Sequence, residues 1–169
     1  MDIIASVLAS GKNSRLYKRL VYDMQIAQDV YAYQASSALG SSFWIVSTAR
    51  AGHTLKEIET VIQEELVLVR SEAPTQRELD RTVNQYEARF LSGLEGVNEK
   101  ADRLNSYSFF TGNPDYFNED LARYKAVDPG DIRMAAVTVL LEDRNVVLSI
   151  VPEGKLELAA EDSKEVQKP

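Results

Sequence analysis

Side chains that could hold a metal ion are scarce in this sequence. It has no cysteine and one histidine, His53, so it offers neither thiolates nor the pair of imidazoles from which zinc sites are commonly built. His53 lies in a predicted turn at residues 51–54, where we interpret it as a solvated turn residue. Metal catalysis by this chain alone is therefore not expected.

Two charged clusters lie on predicted helices, and each has a simple structural interpretation. The acidic cluster falls on the polar positions of an amphipathic helix, which favours a solvated face over metal binding. Its members are Glu57, Glu59, Glu64 and Glu65. The basic cluster lies near the end of a helical segment, where cations stabilise the helix dipole, although it could also present a cationic face to substrate carboxylates. Its members are Arg15, Lys18 and Arg19.

Composition excludes several classes of function. Of the 169 residues, 44% are hydrophobic and 27% charged, which is typical of one globular domain. The net charge of −7 argues against a nucleic-acid partner, because binding to phosphates relies on lysine and arginine. No apolar run approaches the ~18 residues that a membrane span needs. The first residues also lack the pattern of a signal peptide, so none is expected.

The first half of the chain is predicted to run from helix to hairpin to helix. Apolar residues occur at helical spacing over residues 3–20, with Gly11 between two runs. Residues 29–36 and 43–48 are rich in β-branched and aromatic residues and flank a Ser/Gly-rich segment, which predicts an antiparallel hairpin. In its second strand, Phe43 and Trp44 could offer an edge along which an extended peptide pairs.

Capping signals mark the starts of the next two helices. Thr54 is followed by Glu57, and Thr75 by Glu78, with the spacing of a capping box. The apolar periodicity after each box predicts helices that end near residues 71 and 95.

Three further helices and one strand are predicted after them. One helix ends at Gly112, and two others span residues 116–124 and 129–141. The Val- and Leu-rich residues 145–151 form the last predicted strand. Aromatic residues near Gly112 are interpreted as packing beneath the turn, in preference to a pocket for peptide side chains. They are Tyr107, Phe109, Phe110, Tyr116 and Phe117.

This order of elements predicts an α+β fold with a mainly antiparallel sheet and several helices packed on one face. Residues 1–155 are expected to form the domain, and residues 156–169 an exposed or disordered tail, because they gain charge and lose bulky apolar residues. Three strands are few for so many amphipathic helices, so we expect one or two N-terminal strands to be missing. Their loss would leave an open sheet edge that needs cover.

Short motifs along residues 5–155 follow the order and spacing of one peptidase family. They are Gly11-x-x-Ser14-Arg15-Leu16-Tyr17, Gln25-Ile26-Ala27, Thr48-Ala49-Arg50-Ala51-Gly52, Pro74-Thr75-x-x-Glu78-Leu79, Gly112-Asn113-Pro114-Asp115-Tyr116, Val127-Asp128-Pro129-x-Asp131-Ile132 and Ser149-Ile150-Val151-Pro152-Glu153-Gly154. The chain therefore resembles the C-terminal homology domain of the insulinase, pitrilysin and mitochondrial-processing-peptidase family of zinc metallopeptidases.

The resemblance implies a clamshell of homologous α+β domains in which an N-terminal domain holds zinc through an inverted His-x-x-Glu-His motif and a distal Glu. This sequence lacks that motif. The resemblance thus implies no catalytic or metal-binding residue here. It implies zinc in a homologous partner domain, on the same polypeptide or a separate subunit, and a peptide substrate.

Active family members also hold the substrate carbonyl with an Arg and a Tyr seven residues apart. Matching the junction through Ile26-Ala27 places these positions on Val21 and Gln28. Gln28 could still donate a hydrogen bond worth ~1 kcal/mol, less than an oxyanion donor contributes in a dry site. A shifted match on Arg15 and Tyr22, which have the same spacing, stays open. The shifted match would break the agreement at Ile26-Ala27, and the departure at Val21 and Gln28 instead suggests a scaffold or a substrate-holding half that encloses and grips the peptide.

Two other functions are compatible with the sequence. A noncatalytic scaffold or assembly subunit would share the fold without any link to hydrolysis, and an unrelated binding module would require the motif matches to be coincidental. A His-x-x-Glu-His motif encoded upstream, or in an adjacent reading frame, would favour the peptidase over the scaffold. Bacterial relatives suggest the periplasm or cell envelope, which the absence of cysteine permits.

Overall fold

The computed structural model describes residues 1–165, which divide into two compact units. The first unit comprises Met1–Ala73 together with the chain from Ile132 onward, and the second is Pro74–Asp131. Each unit has its own set of helices, and the strands of the structure belong to the first. Within the described residues, no helix is long and apolar enough to cross a membrane.

The first unit begins with two short helices, a hairpin and a long helix. Its elements are α1 (Asp2–Ala9), a π-helix (Tyr17–Asp23), β1 (Ala27–Ala35), β2 (Ser42–Ala49) and α2 (Leu55–Ser71). The helical run predicted over residues 3–20 is interrupted at Gly11, which adopts a φ of 80°. That left-handed conformation suits glycine and ends a right-handed helix.

The hairpin is antiparallel, as predicted, and its register places Tyr31 opposite Val46. One irregularity interrupts the register between Ala27 and Asp29. The prediction of a strand at residues 145–151 is wrong. Among the described residues the sheet consists of β1 and β2 alone, and residues 145–151 form no strand. A groove separates that segment from β2, so its backbone has no strand to pair with. The α+β class with an antiparallel sheet is nevertheless confirmed.

The core of the first unit is built around α1, in which six of the eight residues are buried. Ile4, Val7 and Leu8 are fully buried, as are Leu16, which precedes the π-helix, and Leu20 within it. A helix that is apolar over most of its surface lies in a protein interior, and the two polar residues of α1, Asp2 and Ser6, lie four apart on one narrow side that is not buried. Both α1 and the π-helix contact β1, so the apolar N-terminal residues support the start of the hairpin.

The capping box predicted at the start of α2 is confirmed. The Glu57 amide donates to the Thr54 hydroxyl (3.3 Å), and the Thr54 amide donates to the Glu57 carboxylate (2.7 Å). These bonds from the backbone and side chain of Thr54 lower the pKa of Glu57. His53 lies in the turn before the helix, with its Nδ1 3.6 Å from a Glu57 oxygen.

The solvated face predicted for the acidic cluster is wrong at Glu65. This residue is 4% exposed and accepts a hydrogen bond from Arg19 Nη1 at 2.9 Å. The second guanidinium nitrogen binds Glu64, and the bonds to Glu64 and Glu65 raise the pKa of Arg19. Arg19 therefore fastens the π-helix to α2 and does not form a free cationic face.

The second unit is a three-helix arrangement whose boundaries follow the prediction closely. It consists of α3 (Gln76–Gly93), α4 (Val97–Thr111) and α5 (Phe117–Lys125). The Thr75 and Glu78 pair forms a complete capping box at the start of α3. Gly112 ends α4 with a φ of 73°, the left-handed conformation that helix ends favour in glycine.

Aromatic rings join the helices of the second unit. Tyr86 stacks on Tyr124 with ring centroids 3.5 Å apart, and Tyr107 meets Phe117 edge-on at 5.0 Å. The Asp120 carboxylate accepts hydrogen bonds from the hydroxyls of Tyr107 (2.7 Å) and Tyr86 (3.3 Å). These contacts confirm packing beneath the turn for Tyr107 and Phe117.

The same prediction is wrong for two neighbouring aromatic residues. Phe109 is 80% exposed and Phe110 is 70% exposed. Phe109 follows Tyr107 on α4 by two residues, so the helical rotation of about 100° per residue turns it away from the face that Tyr107 presents to α5. Phe110 follows by three residues and is exposed although helical spacing places it near that face. Their rings pack edge-on against each other, with centroids 4.9 Å apart.

Tyr86 should make the stability of the second unit sensitive to alkali. Burial and the negative charge of Asp120 raise its pKa to about 12, above the value of about 10 for a free tyrosine. The folded unit keeps a proton that the unfolded chain loses, so this stabilisation is complete below the unfolded pKa and disappears as pH rises to the folded one. Urea unfolding followed by circular dichroism across this range should show the decline. Tyr86→Phe should flatten it, and an unchanged slope in that variant would contradict the assignment.

The chain after α5 continues with a helix and an irregular segment. Helix α6 (Pro129–Val139) ends two residues before its predicted limit, and Asp128 and Asp131 cap its start by bonding each other's amides (2.8 and 3.0 Å). In the predicted tail, Ala160 is buried and Glu161 pairs with Lys56 at 2.7 Å. Residues 166–169 lie outside the described residues.

Candidate functional site

A recess of about 620 Å³ opens at the junction between the π-helix and β1, in the first unit. Its lining combines aromatic, acidic, amide and cationic side chains. They are Tyr17, Val21, Tyr22, Asp23, Gln25 and Arg50. The recess includes one position from each pair that the family resemblance implies for holding a peptide, Val21 and Tyr22, so we treat it as the candidate site.

The π-helix shapes this recess through its wider backbone ring. The Met24 amide donates to the Arg19 carbonyl at 2.9 Å, a bond that spans five residues in place of the usual four. Such turns are rare and occur often at functional sites. The next residue, Gln25, has a φ of 55°, a conformation that costs a residue with a side chain about 1–2 kcal/mol. The Ile26 amide then donates to the Leu20 carbonyl at 3.0 Å, which fixes the turn into β1.

Arg50 supplies the cation of the recess from the end of β2. Its backbone amide donates to the Ile26 carbonyl at 2.9 Å, and its Nε donates to the Ala27 carbonyl at 3.0 Å. These bonds hold the half-buried side chain along the junction. Within the described residues its two Nη groups make no hydrogen bond, so they are available to a ligand. Asp23, which also lines the recess, is exposed.

The structure brings two of the sequence-predicted positions into this recess. Val21 is buried in its wall and Tyr22 is largely exposed at its rim. Gln28 lies on β1 outside the lining, and its side-chain amide donates to the Ala49 carbonyl at 3.1 Å. Arg15 also lies outside the lining, before the π-helix. In each alternative pair, Val21 with Gln28 and Arg15 with Tyr22, one residue therefore lines the recess and the other lies outside it.

Phe43 and Trp44 belong to a different feature of the same unit. They line a groove of about 660 Å³ between β2, α2 and the segment after α6. The indole of Trp44 stacks on Tyr33 with centroids 6.2 Å apart, and its Nε1 donates to Ser42. Their role in peptide binding stays a prediction.

In the part of the chain that the structure describes, no cluster of side chains fits a zinc ion. Among residues 1–165, no group of three histidine, cysteine, aspartate or glutamate side chains lies close enough to hold a metal. His53 is the one histidine in the sequence, and the side chain beside it is the carboxylate of Glu57, so a second imidazole ligand is lacking. We therefore assign no chemical step to a metal in this domain.

Sequence reasoning missed four residues of the recess, which are Tyr17, Asp23, Gln25 and Arg50. Arg50 belongs to the motif Thr48-Ala49-Arg50-Ala51-Gly52, and the hairpin register places the preceding residue, Ala49, opposite Ala27 at the start of β1. That pairing was the available signal that the Arg50 side chain borders the junction. Asp23 and Gln25 had no such signal, because their position depends on the π-helical turn.

Comparisons with known proteins agree on one family. The model of the peptidase M16 inactive-domain family matches residues 1–86. The uncharacterized zinc protease SCO5738 of Streptomyces coelicolor is 26% identical over 151 residues, which cover 89% of this chain and 32% of that protein. The zinc protease YmxG of Bacillus subtilis is 25% identical over 154 residues, or 91% of this chain and 37% of that protein. The chain spans about a third of the length of these curated relatives.

Solved structures match over most of the chain. A protease from Helicobacter pylori superposes with a TM-score of 0.74 at 18% identity, covering 83% of this chain and 34% of that one. An inactive peptidase domain from Bordetella parapertussis gives a TM-score of 0.71 at 20% identity, covering 84% of this chain and 76% of that one. At this level of identity the likeness concerns the fold, and it supports the α+β assignment.

Proposed function

This chain belongs to the peptidase M16 inactive-domain family, and we propose that it encloses a peptide substrate beside a zinc site held by a homologous domain. The family assignment confirms the resemblance seen in the sequence. The observation that supports the proposal is the recess at the junction of the π-helix and β1, because its lining includes Val21 and Tyr22, two positions that the resemblance implies for holding the peptide. The zinc ion of the partner domain would supply a polarised water there.

The recess has the chemistry to grip a main chain. The Nη groups of Arg50 can donate to a peptide carbonyl or to a terminal carboxylate, and charge-assisted bonds of this type are worth about 1.5–3 kcal/mol. Tyr17 and Tyr22 offer ring faces to an extended peptide, and Asp23 can accept a bond from its amide or from a basic side chain. We infer that Arg50 does the cationic work that Val21 cannot do.

A reconstitution experiment tests this function. The purified chain should not cleave a quenched fluorescent peptide, whereas the chain mixed with the homologous domain that bears His-x-x-Glu-His should cleave it in a chelator-sensitive way. In that mixture Arg50→Gln should raise KM about tenfold with little change in kcat, because it weakens peptide binding alone. Arg133→Gln is the matched control, since it removes the same charge from an exposed position on α6.

Three outcomes would contradict the proposal. Chelator-sensitive cleavage by the chain alone would show that it is catalytic, and equal KM values for Arg50→Gln and Arg133→Gln would exclude the recess. Thermal unfolding of both variants separates a binding defect from a folding defect. A mixture that assembles without any effect of this chain on cleavage would instead favour the noncatalytic scaffold.

A further inference from the structure

Two opposite charges line the recess without neutralising each other. Arg50 and Asp23 both border it, yet within residues 1–165 neither side chain forms an ion pair with the other or with any third residue. A cation and an anion that stay apart leave room between them for a ligand that carries both an acceptor and a donor. The recess can therefore take a group with an anionic end and a nearby N–H donor.

The bonds that anchor Arg50 leave one side of its guanidinium open. Its Nε is committed to the Ala27 carbonyl and its backbone amide to the Ile26 carbonyl, so the free donors are the two Nη groups at the end of the side chain. Two parallel N–H donors match the two oxygens of a carboxylate, whereas a single carbonyl oxygen engages only part of such a fork. The anchored geometry therefore favours a carboxylate over a main-chain carbonyl.

A backbone donor borders the same recess. Met24 is right-handed, with a φ of −85° and a ψ of −24°, and Gln25, which lines the recess, is left-handed with a φ of 55°. This succession gives backbone amides the concave arrangement that binds anions. The amides of Met24 and Ile26 are bonded within the chain, but the Gln25 amide makes no hydrogen bond to any described residue. It is thus a second donor for an anion at this junction, independent of Arg50.

We propose that the recess binds the C-terminal carboxylate of a peptide, with Arg50 and the Gln25 amide as its donors. A terminal residue carries its amide N–H and its carboxylate on the same carbon atom, so Asp23 can accept a bond from that amide. In an internal Asp or Glu the side-chain carboxylate lies further from the amide, and a chain end therefore fits better. Capture of chain termini is a recurrent mode of peptide recognition. This inference rests on the proposed function and narrows its substrates to peptides with a free carboxyl end.

Matched peptides test the inference on the purified full chain, without a zinc-bearing partner. The probe is N-acetyl-trialanine with a free carboxylate, and its control is the same peptide with a C-terminal amide. Binding is followed through the NMR shifts of the Gln25 and Arg50 amides. The free acid should bind about tenfold more tightly, because only it offers two anionic oxygens. The net charge of −7 repels anions in general, so such a preference would report a specific site.

Variants of the cation test the fork itself. Arg50→Lys keeps the charge without the fork, so the preference for the free acid should fall to about threefold, and Arg50→Gln should abolish it. Arg133→Gln, which removes a charge from an exposed position on α6, should keep the full preference. Melting temperatures identify a variant that fails to fold, and the comparison of the two peptides on the unaltered chain depends on no variant.

Three results would overturn the inference. They are equal binding of the acid and the amide, a preference that persists in a folded Arg50→Gln variant, and equally tight binding of a doubly capped alanine tripeptide whose middle residue is aspartate. In the last case the recess would select side-chain carboxylates and not chain ends. None of these results bears on whether the chain assists cleavage, because the failure of the proposed function would appear in the reconstituted mixture and not in this binding assay.

Discussion

Replacing Arg19 with methionine is expected to lower the free energy of unfolding by about 3 kcal/mol, because the change leaves a buried carboxylate without its cation. Glu65 is 4% exposed, and the Arg19 Nη1 group lies 2.9 Å from its Oε1. Arg19 itself is 32% exposed, so water can compensate for part of the loss. The measurement is urea unfolding of the full chain at neutral pH.

Two companion variants separate the buried ion pair from the exposed one. Glu64→Gln breaks the bond between Arg19 and an exposed carboxylate, so it should cost less than about 1 kcal/mol. The double variant Arg19→Met with Glu65→Leu replaces the buried pair with apolar side chains and should recover most of the lost stability. If Arg19→Met and Glu64→Gln were equally mild, the buried pair would not hold the π-helix to α2.

The elements predicted correctly are those whose signals are local. Thr54 with Glu57 and Thr75 with Glu78 each fix a helix start through bonds that close within four residues, so the sequence reports them directly. Gly112 ends α4 for an equally local reason. The family could likewise be predicted, because motifs of this kind recur in order along the chain.

The errors concern partners that are distant in sequence. Glu65 lies on a polar stretch of α2, and nothing local shows that Arg19, which lies 46 residues earlier, neutralises it. Residues 145–151 carry the composition of a strand, but a strand forms only when a second backbone lies within reach. Arg50 lines the recess because the hairpin register and the π-helical turn bring it there. Its residue type alone predicts neither feature.

These distant contacts explain how the candidate site is positioned. The π-helix carries Val21 and Tyr22, and it is held by the Arg19 and Glu65 pair and by the burial of its own Leu20. The hairpin brings Arg50 to the same place through its bonds to Ile26 and Ala27. The shape of the recess therefore depends on packing that no single motif encodes.

Truncating Leu20 to alanine should cost about 2–5 kcal/mol of unfolding free energy, because it removes a fully buried side chain from beneath the π-helix and leaves a cavity. The amides of Met24 and Ile26, which donate to the carbonyls of Arg19 and Leu20, should then exchange with deuterium faster than those of α2. Lys18→Ala is the matched control, since Lys18 is exposed on the same π-helix and its loss should change stability by less than about 0.5 kcal/mol. Similar costs for both variants would mean that the π-helix does not rest on a packed core, and the recess could then not be treated as a preformed site.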